Sequence, residues 1–418
     1  MRQEFFPDGT PMDAWFHGAE VPELAALGKP YVATEHGVRG DGTLQTEALQ
    51  ALIDRIAARG GGVLVIPRGT FLTGALFFRQ GVNLYLEEGA VLLGSDDISD
   101  YPLLPTRIEG ESCTYFAALI NADGLDGFTI CGSGVIDGNG LRAWKAFWLR
   151  RKWNPKCTNK DEQRARLVYL SGCSNVTVAG VTMRNPQFWT NHLYRCDHVR
   201  YLNVRITAPT EGVRAPSSDA LDIDVCHDVL VKGCSLHVND DSIVLKGDKG
   251  PWADTQPENG SNERVLIEDC DYEFCHGCLT CGSESVHDRN IILRNCRIGY
   301  ASNLLWLKMR PDTPQRYEHI RVEGMSGRVR NVVYIQPWTQ FFDLKGRADA
   351  PMSYADAVTL ADCDLDCDAF FNVSARPDQY QLSRFTLRNL TIRAKTDGYA
   401  EGLIRDAAVE NVNVTLVE

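Results

Sequence analysis

Residues 176–183, VTVAGVTM, carry the pattern that decides the fold of this chain. Apolar residues alternate there with polar or small ones, which is the period of a β-strand with one buried face. The same pattern returns as FTICGSGVI from Phe128, VRYLNVRI from Val199, VLVKGCSL from Val229, VLIEDCDY from Val265, IILRNCRI from Ile291, IRVEGMSG from Ile320, VTLADCDL from Val358 and FTLRNLTI from Phe385. From Val176 onward the segments start 23, 30, 36, 26, 29, 38 and 27 residues apart. Short strands at the spacing of one coil, with no helical pattern between them, predict a parallel β-helix.

The N-terminal part differs from these repeats. In TEALQALIDRIAARGGG, which starts at Thr46, the residues Leu49, Leu52, Ile53 and Ile56 fall on one helical face, and Gly60 can end the helix. A solenoid needs its open end covered, so we expect this helix to be a cap. We therefore predict a single all-β domain over 1–418, with an N-terminal segment and cap over 1–60 and coils over 61–418.

The composition points to a globular protein. The chain has 418 residues with a formal net charge of −12, which argues against nucleic acid as a partner. No apolar run approaches the ~20 residues of a membrane span. The N-terminal stretch MRQEFFPDGTPMDAWF lacks the features of a signal peptide. We expect a monomer in the cytoplasm, or in the periplasm or outside the cell if a signal has been removed.

The fourteen cysteines allow either free thiols, disulfides or a metal site. CHGCLTC, with Cys275, Cys278 and Cys281, resembles part of an iron–sulfur spacing but has no closely spaced fourth cysteine. Cys234, Cys270, Cys296 and Cys363 occupy the same repeat position, so stacked coils would bring them together inside the solenoid. Disulfides between neighbouring coils are the rival interpretation. We expect free buried thiols and neither a metal nor a cofactor.

Two adjacent carboxylates stand out in HVNDDSIVLKGD, residues 237–248. Asp240 and Asp241 lie at the mouth of an apolar strand, and Asp219 lies 21 residues before Asp240, which is about one coil. Three carboxylates then converge on the solvent face, and crowding raises the pKa of at least one of them. A proton donor beside ionised bases suits glycoside hydrolysis. Acidic residues that only mark turns are the alternative explanation.

Two further residues fall in the same column. His276 lies on the next coil, and Lys308, in LLWLKMR, lies on the coil after it. Together they predict a cationic face for an acidic sugar.

Two basic, tryptophan-rich segments interrupt the repeats at about 138–166 and 334–350. We interpret both as long loops on one face of the solenoid. Six of their residues suit a pocket for a terminal acidic sugar, because arginine pairs with carboxylates and tryptophan covers a sugar ring: Arg142, Trp144, Arg150, Arg151, Trp153 and Trp338.

These residues carry a resemblance over most of the chain. The sequence resembles glycoside hydrolase family 28, the polygalacturonases and their relatives, which are right-handed parallel β-helices. The family's Asn-Thr-Asp motif corresponds to Ser217-Ser218-Asp219 and its Asp-Asp pair to Asp240-Asp241. Its Gly-His-Gly motif corresponds to Cys275-His276-Gly277 and its Arg-Ile-Lys motif to Trp306-Leu307-Lys308. GDGTLQTEALQALID, GGVLVIPRGTFLTG, GVNLYLEEGAVLLGS, FWT at Phe188 and GSE at 282–284 are also similar to family members.

The resemblance implies an inverting hydrolase that works without metal. It makes Asp240 the general acid, Asp219 and Asp241 the bases that activate water, His276 the group that tunes the acid, and Lys308 the ligand of the sugar carboxylate. The family's Asn-Thr pair is Ser-Ser here and its arginine is Trp306.

The sequence therefore supports hydrolysis more strongly than it supports unmodified polygalacturonate as the substrate. Trp306 could stack on a sugar face, and Arg310 could supply the missing positive charge. We also expect Asp222, Lys246 and Glu284 to bind substrate.

The expected substrate is a pectic oligosaccharide or polysaccharide, either homogalacturonan or rhamnogalacturonan. Loops that wall off one end of the binding face predict exo action from the non-reducing end. Two alternatives share the fold: a uronate lyase or epimerase, for which the aspartates could hold calcium, and a β-helix that only binds carbohydrate.

Overall fold

The structure, a computed structural model, describes residues 3–400 and 402–418. Over these residues the chain winds into a right-handed parallel β-helix, as the repeats and the family resemblance together predict. Each coil contributes one strand to each of three parallel sheets, called here the first, second and third sheets. Among the described residues, no helix has the length and apolar character needed to cross a membrane.

The strands are grouped by sheet. The first sheet contains Leu76–Phe77, Ile120–Asp123, Val168–Ser171, Asn191–Tyr194, Leu221–Asp224 and Ile243–Lys246. The second contains Pro30–Val32, Gly62–Ile66, Val82–Leu86, Thr129–Gly132, Ser174–Ala179, Asp197–Leu202, His227–Lys232, Ser261–Glu268, His287–Arg294 and Arg316–Glu323. The third contains Asp41–Leu44, Gly69–Thr73, Ala90–Gly94, Val135–Asp137, Thr182–Arg184, Arg205–Thr207 and Ser235–His237.

Later coils have longer strands that bend from the third sheet into the first. They are Asp271–Cys281, Arg297–Met309 and Ser326–Pro337, while Ser353–Val373 passes through all three sheets. The last strands are Tyr380–Ser383, Thr386–Thr396 and Ala408–Leu416.

The strand register confirms the repeat boundaries to the residue. In the second sheet Val176 pairs with Val199, Val199 with Val229, and Val229 with Val265. The series continues through Ile291, Ile320 and Val358. The first apolar residue of each repeat therefore stacks on its counterpart in the next coil, and these side chains are buried.

The predicted cysteine column lies inside the solenoid. The backbone N–H of Cys270 donates to the Sγ of Cys296 over 3.3 Å, and the Asp271 N–H donates to the carbonyl of Cys234 on the preceding coil. Met325 takes the same position on the coil between Cys296 and Cys363. A second column, which we did not predict, stacks Cys173, Cys196 and Cys226. All fourteen cysteines carry free thiols.

The predicted N-terminal helix is present as α1, Thr46–Ala58. Its four predicted apolar residues are buried. It packs against the first coils at Gly62–Ile66, and Gly60, at φ +91°, follows its C-terminus. This backbone conformation favours glycine, so the helix ends where the sequence indicates.

The segment 138–166 is not the long loop that we predicted. It contains a second helix, α2, Leu141–Trp153. Its sequence lacks a clear apolar stripe because basic residues surround the helix. Two of its aromatic side chains nevertheless anchor it, since Trp144 and Phe147 are buried. The segment 334–350 begins inside the strand that ends at Pro337 and continues as a loop, as predicted.

An antiparallel hairpin, Leu103–Ile108 and Glu111–Phe116, is a third excursion from the coils. Its turn residues Glu109 and Gly110 both have positive φ, at 53° and 77°. This is the backbone that a tight two-residue hairpin requires. We did not predict this hairpin, and it lies beside the candidate site.

Candidate active site

Three aspartates meet on neighbouring coils at the entry to the first sheet. Leu221 pairs with Ile243, which places Asp219 beside Asp241 on the next coil. The N–H of His276 donates to the carbonyl of Asp240 over 2.9 Å, so His276 lies one coil further on. The column predicted from the length of one coil is therefore present.

Asp240 is the most accessible of the three aspartates. Its side chain is 34% exposed, against 3% for Asp241. The Nδ1 of His276 lies 3.7 Å from the Oδ1 of Asp240, and the Asp241 N–H donates to the same Asp240 oxygen over 3.1 Å. Asp240 is therefore positioned to contact a molecule that enters from solvent.

Asp241 accepts a hydrogen bond from a residue that lies two coils further along the solenoid. The Nζ of Lys308 donates to its Oδ2 over 2.8 Å. The same ammonium lies 4.0 Å from the ring centre of Trp306 and 4.9 Å from that of Trp338. The charge of Lys308 is thus already compensated by Asp241 and by two indole faces. Its implied role as the ligand of a sugar carboxylate stays a prediction.

A second group of buried charges lies beside this column. The Nζ of Lys246 lies 3.2 Å from Glu284 and 3.7 Å from Asp222, and all three side chains are largely buried. Ser283 donates from its hydroxyl to Glu284 over 2.5 Å. Lys246 therefore compensates two carboxylates that would otherwise be costly to bury.

The carboxylates differ in their affinity for protons. Burial raises the pKa of Asp219 well above its usual range, and the charge of Asp240 adds to that rise. Burial also raises the pKa of Asp222 to about 8. Burial acts in the same direction on Asp240, but the hydrogen bond and charge of His276 outweigh it, so the pKa of Asp240 is lowered. Burial lowers the pKa of His276, but Asp240 more than reverses this and raises it.

Two carboxyl groups with a raised pKa, Asp219 and Asp222, therefore lie beside one with a lowered pKa, Asp240. Asp219 and Asp222 therefore hold a proton more readily than Asp240 does in the ligand-free protein. Because these groups interact closely, they titrate as one system. A ligand that removes water from Asp240 would raise its pKa and draw the proton toward it.

These groups surround a cavity of about 330 Å³, which is open to solvent. It is lined by Glu109, Phe147, Arg151, Asn159, Trp189, Ser217, Asp219, Asp240, Asp241, Lys246, His276, Ser283, Glu284, Trp306, Lys308, Trp338 and Gln340. Charged groups and aromatic rings together are typical of a site for a charged sugar, because the rings cover sugar faces while polar groups fix the orientation.

Two predicted site residues lie outside this lining. The Arg310 guanidinium is buried, makes two 2.8 Å bonds to Asp312, and donates to the carbonyl of Gln340 over 2.9 Å. The expectation that Arg310 supplies charge to a sugar is therefore wrong, because that charge is used within the protein. Asp222 lies behind the cavity wall, with its side chain fully buried against Lys246.

Of the six insertion residues that we expected around a sugar, Arg151 and Trp338 line the cavity. Arg142 lies near Asp96 and Asp97, away from the site. Trp144 is buried and donates to the carbonyl of Pro186 over 2.8 Å. The other two point elsewhere: Arg150 contacts Glu162, and Trp153 is 78% exposed. The placement of these four in the pocket was therefore wrong.

The hairpin crosses the first sheet from one flank to the other. It leaves the coil between the third and first sheets, and Arg107 donates to the carbonyl of Gly247 over 2.7 Å on the opposite flank. Arg107 also bonds Asp224 on the sheet face over 2.8 Å, and Glu109 lies 3.1 Å from Lys249. Leu104 of the same hairpin lines a different cavity on its other side. The hairpin thus divides the face of the first sheet.

Sequence reasoning missed several lining residues, including Glu109, Phe147, Asn159, Trp189 and Gln340. A signal existed for Glu109, because Gly110 follows it between two short segments and glycine is favoured in two-residue hairpin turns. A signal also existed for Trp189, because it belongs to the FWT motif. The other three lie in insertions, where no repeat position indicates which way a side chain points.

The arrangement can perform acid–base chemistry. Asp219 Oδ1 and Asp241 Oδ1 are buried and accept no hydrogen bond from the residues that the structure describes. Oxygens of this kind can accept from a water molecule held between two coils. Asp240, on the accessible side, can exchange a proton with a leaving group. An acid and a base flanking one bond are the requirement for hydrolysing a glycoside with inversion.

Comparison with known proteins gives a consistent result. The model of "Glycosyl hydrolases family 28" matches residues 105–326, which include most of the hairpin and the cluster of Asp219, Asp222, Asp240 and Asp241. An "Exo-poly-alpha-D-galacturonosidase" of Dickeya chrysanthemi is 27% identical over 320 residues, or 65% of this chain and 51% of that protein. A "Probable polygalacturonase" of Vitis vinifera is 29% identical over 222 residues, or 51% of this chain and 43% of that protein. The chain spans about half the length of these curated relatives.

The solved structures agree on the fold. The exopolygalacturonase of Thermotoga maritima superposes with a TM-score of 0.73 over 94% of this chain and 93% of that one, at 19% identity. At 19% identity, this similarity establishes a shared backbone fold and nothing about function. Function must come from the site.

Proposed function

The chain belongs to glycoside hydrolase family 28, and from this premise we propose that it hydrolyses α-galacturonosidic linkages in a pectic oligosaccharide or polysaccharide, releasing terminal sugars one at a time. One observation carries the proposal: Asp219, Asp240 and Asp241 lie on adjacent coils and face one cavity. The family match favours hydrolysis over the lyase and binding-only alternatives.

We assign the roles according to exposure. Asp240 donates a proton to the glycosidic oxygen, because it is the accessible carboxylate. Asp219 and Asp241 activate the water, because each offers a buried oxygen without a protein donor among the described residues. His276 lies 3.7 Å from Asp240 and tunes this acid, and Lys308 holds Asp241 in position through its 2.8 Å contact.

The hairpin supports exo action. A polymer can bind along the first sheet only where the face of that sheet is continuous. The hairpin residues Arg107 and Glu109 bridge to Gly247 and Lys249 on the far flank, so they interrupt this face beside the cavity. Helix α2 adds Phe147 and Arg151 to the cavity wall. A chain end fits such a site better than a chain middle.

We predict that galacturonic acid monomer is the first product from an oligogalacturonate and that it appears with inverted anomeric configuration. Inversion requires ~6.5–9.5 Å between acid and base carboxyl groups, which leaves room for the water. Proton NMR during the first turnovers reads both the product size and the anomer. A ladder of intermediate oligomers would contradict exo action, a retained anomer would contradict the water position, and unsaturated ends would indicate a lyase.

We predict that Gly277→Ala lowers activity by ~100-fold without unfolding the protein. A methyl group at Gly277 would lie 2.1 Å from Thr280 Oγ1 and 2.7 Å from Asp241 Oδ1, so it would displace the base. A displacement of about 1 Å can cost ~10²-fold in rate.

The control for this prediction is Gly18→Ala, where the nearest atom to the new methyl is 3.9 Å away. Steady-state rates on oligogalacturonate and melting curves of both variants provide the measurement. Wild-type turnover in Gly277→Ala would show that Asp241 can move without harm and would argue against its role as a base.

A further inference from the structure

The cationic groups around the cavity differ in what already compensates them. Among the described residues, four cationic or potentially cationic side chains line it: Arg151, Lys246, His276 and Lys308. Three of these face a carboxylate that also lines the cavity: Lys246 lies 3.2 Å from Glu284, His276 lies 3.7 Å from Asp240, and Lys308 lies 2.8 Å from Asp241. A substrate carboxylate that approached any of these three would meet a second negative charge.

Arg151 is held in a different way. Its Nε lies 3.3 Å from the Oε1 of Glu162, whose side chain is 2% exposed, and its Nη2 donates to the Oδ1 of Asn159 over 3.3 Å. Its guanidinium also lies 4.6 Å from the ring centre of Phe147. These contacts fix the side chain from behind and use two of its five N–H groups. The side chain remains 24% exposed and lines the cavity.

We infer that Arg151 binds the carboxylate of the sugar held in the cavity and so makes the enzyme selective for a free uronate over its ester. This inference rests on the proposed function. A guanidinium from helix α2 suits this role, because its remaining N–H groups form the planar fork that matches a carboxylate.

The surroundings explain why such a fork is needed. Glu109, Asp219, Asp240, Asp241 and Glu284 all line the cavity, so an entering carboxylate is repelled unless a strong donor compensates it. A hydrogen bond to a charged group contributes more than a neutral one. Arg151 also belongs to the last turn of α2, where positive charge stabilises the helix, so its place is compatible with folding.

The test compares Arg151→Gln with Arg150→Gln. Arg150 precedes it on the same helix, contacts the same Glu162 at 3.5 Å and lies outside the cavity lining, so it is a matched control. The substrates are a trigalacturonate and the same trisaccharide methyl-esterified on its non-reducing sugar. The readout is the ratio of kcat/KM for the free acid to that for the ester, and melting curves show whether each variant is folded.

We expect Arg151→Gln to reduce this ratio by about 10- to 100-fold and Arg150→Gln to leave it unchanged. Arg151→Lys should recover only part of it, because an ammonium lacks the fork. A wild-type ratio in Arg151→Gln would overturn the inference, as would an equal loss in Arg150→Gln. A ratio that collapses in Lys308→Met but not in Arg151→Gln would assign the carboxylate to Lys308. A wild-type enzyme that cleaves neither trisaccharide would instead refute the proposed function.

Discussion

Asp240→Asn is expected to reduce the turnover of oligogalacturonate by ~10²–10⁴-fold while the protein stays folded. The amide has the size of the carboxyl group but has no acidic proton to give to the leaving oxygen. The side chain is 34% exposed, so the substitution leaves no buried group without a partner. Initial rates and melting curves check both parts of the prediction. Asp123→Asn, an exposed position on the same sheet, is the matched control and should behave like the wild type.

A second substrate separates the acid from the bases. The nitrophenyl leaving group of an aryl α-galacturonide departs without a proton. Asp240→Asn should therefore keep most of its activity on this substrate. Asp241→Asn should stay inactive on the same substrate, because water activation is still needed. If Asp219→Asn were the variant rescued by the aryl substrate, Asp219 would be the acid. The raised pKa of Asp219 in the ligand-free protein makes this the informative comparison.

The coils could be predicted because their signal is local and repeated. Each strand has the same alternation, and stacking in register needs only that equivalent positions meet. For this reason Val176, Val199 and Val229 align as the sequence indicates. The aspartate column follows from the same rule, since the length of one coil places Asp219 next to Asp241.

The insertions could not be predicted in this way. Helix α2 carries basic residues on all sides, so no apolar stripe marks it. Its stability comes from contacts distant in sequence, such as the bond from Trp144 to Pro186. Arg310 shows the same difficulty, because its bidentate pairing with Asp312 leaves no charge for a sugar. Repeat position gives the coil on which a residue lies, but it does not give the partner of a long side chain.

The site combines catalysis with a stability cost. Asp219, Asp222, Asp240 and Asp241 lie close together. Lys246 compensates Asp222, Lys308 compensates Asp241, and His276 lies beside Asp240. Burial raises the pKa of Asp219 and of Asp222 beside Asp240, whose pKa is lowered, and a site that transfers a proton requires carboxylates that differ in this way. The protein tolerates this arrangement because each lysine contacts at least one carboxylate. Removal of one lysine should expose how large the cost is.

Lys246→Met is expected to lower the free energy of unfolding by about 3–5 kcal/mol, because it leaves Glu284 and Asp222 buried without their common partner. Lys232→Met is the control. Lys232 is 39% exposed, and its partner Glu268 keeps a 2.7 Å contact with Arg294, so a loss of about 0–1 kcal/mol is expected. Denaturant unfolding at pH 7 gives both values.

The pH dependence of this loss distinguishes charge from packing. In the folded protein, burial raises the pKa of Glu284, but the charges of Lys246, Lys249 and Arg310 outweigh it and hold that pKa far below its ordinary value of 4.5. The stability that Lys246 provides through Glu284 is therefore fully present above pH 4.5 and is lost as the pH falls below it. The difference between wild type and Lys246→Met should shrink from pH 7 to pH 3, and Lys246→Met/Glu284→Gln should lose less than the single variant. A difference that is constant with pH would mean that Lys246 acts through the packing of its methylene groups and not through its charge.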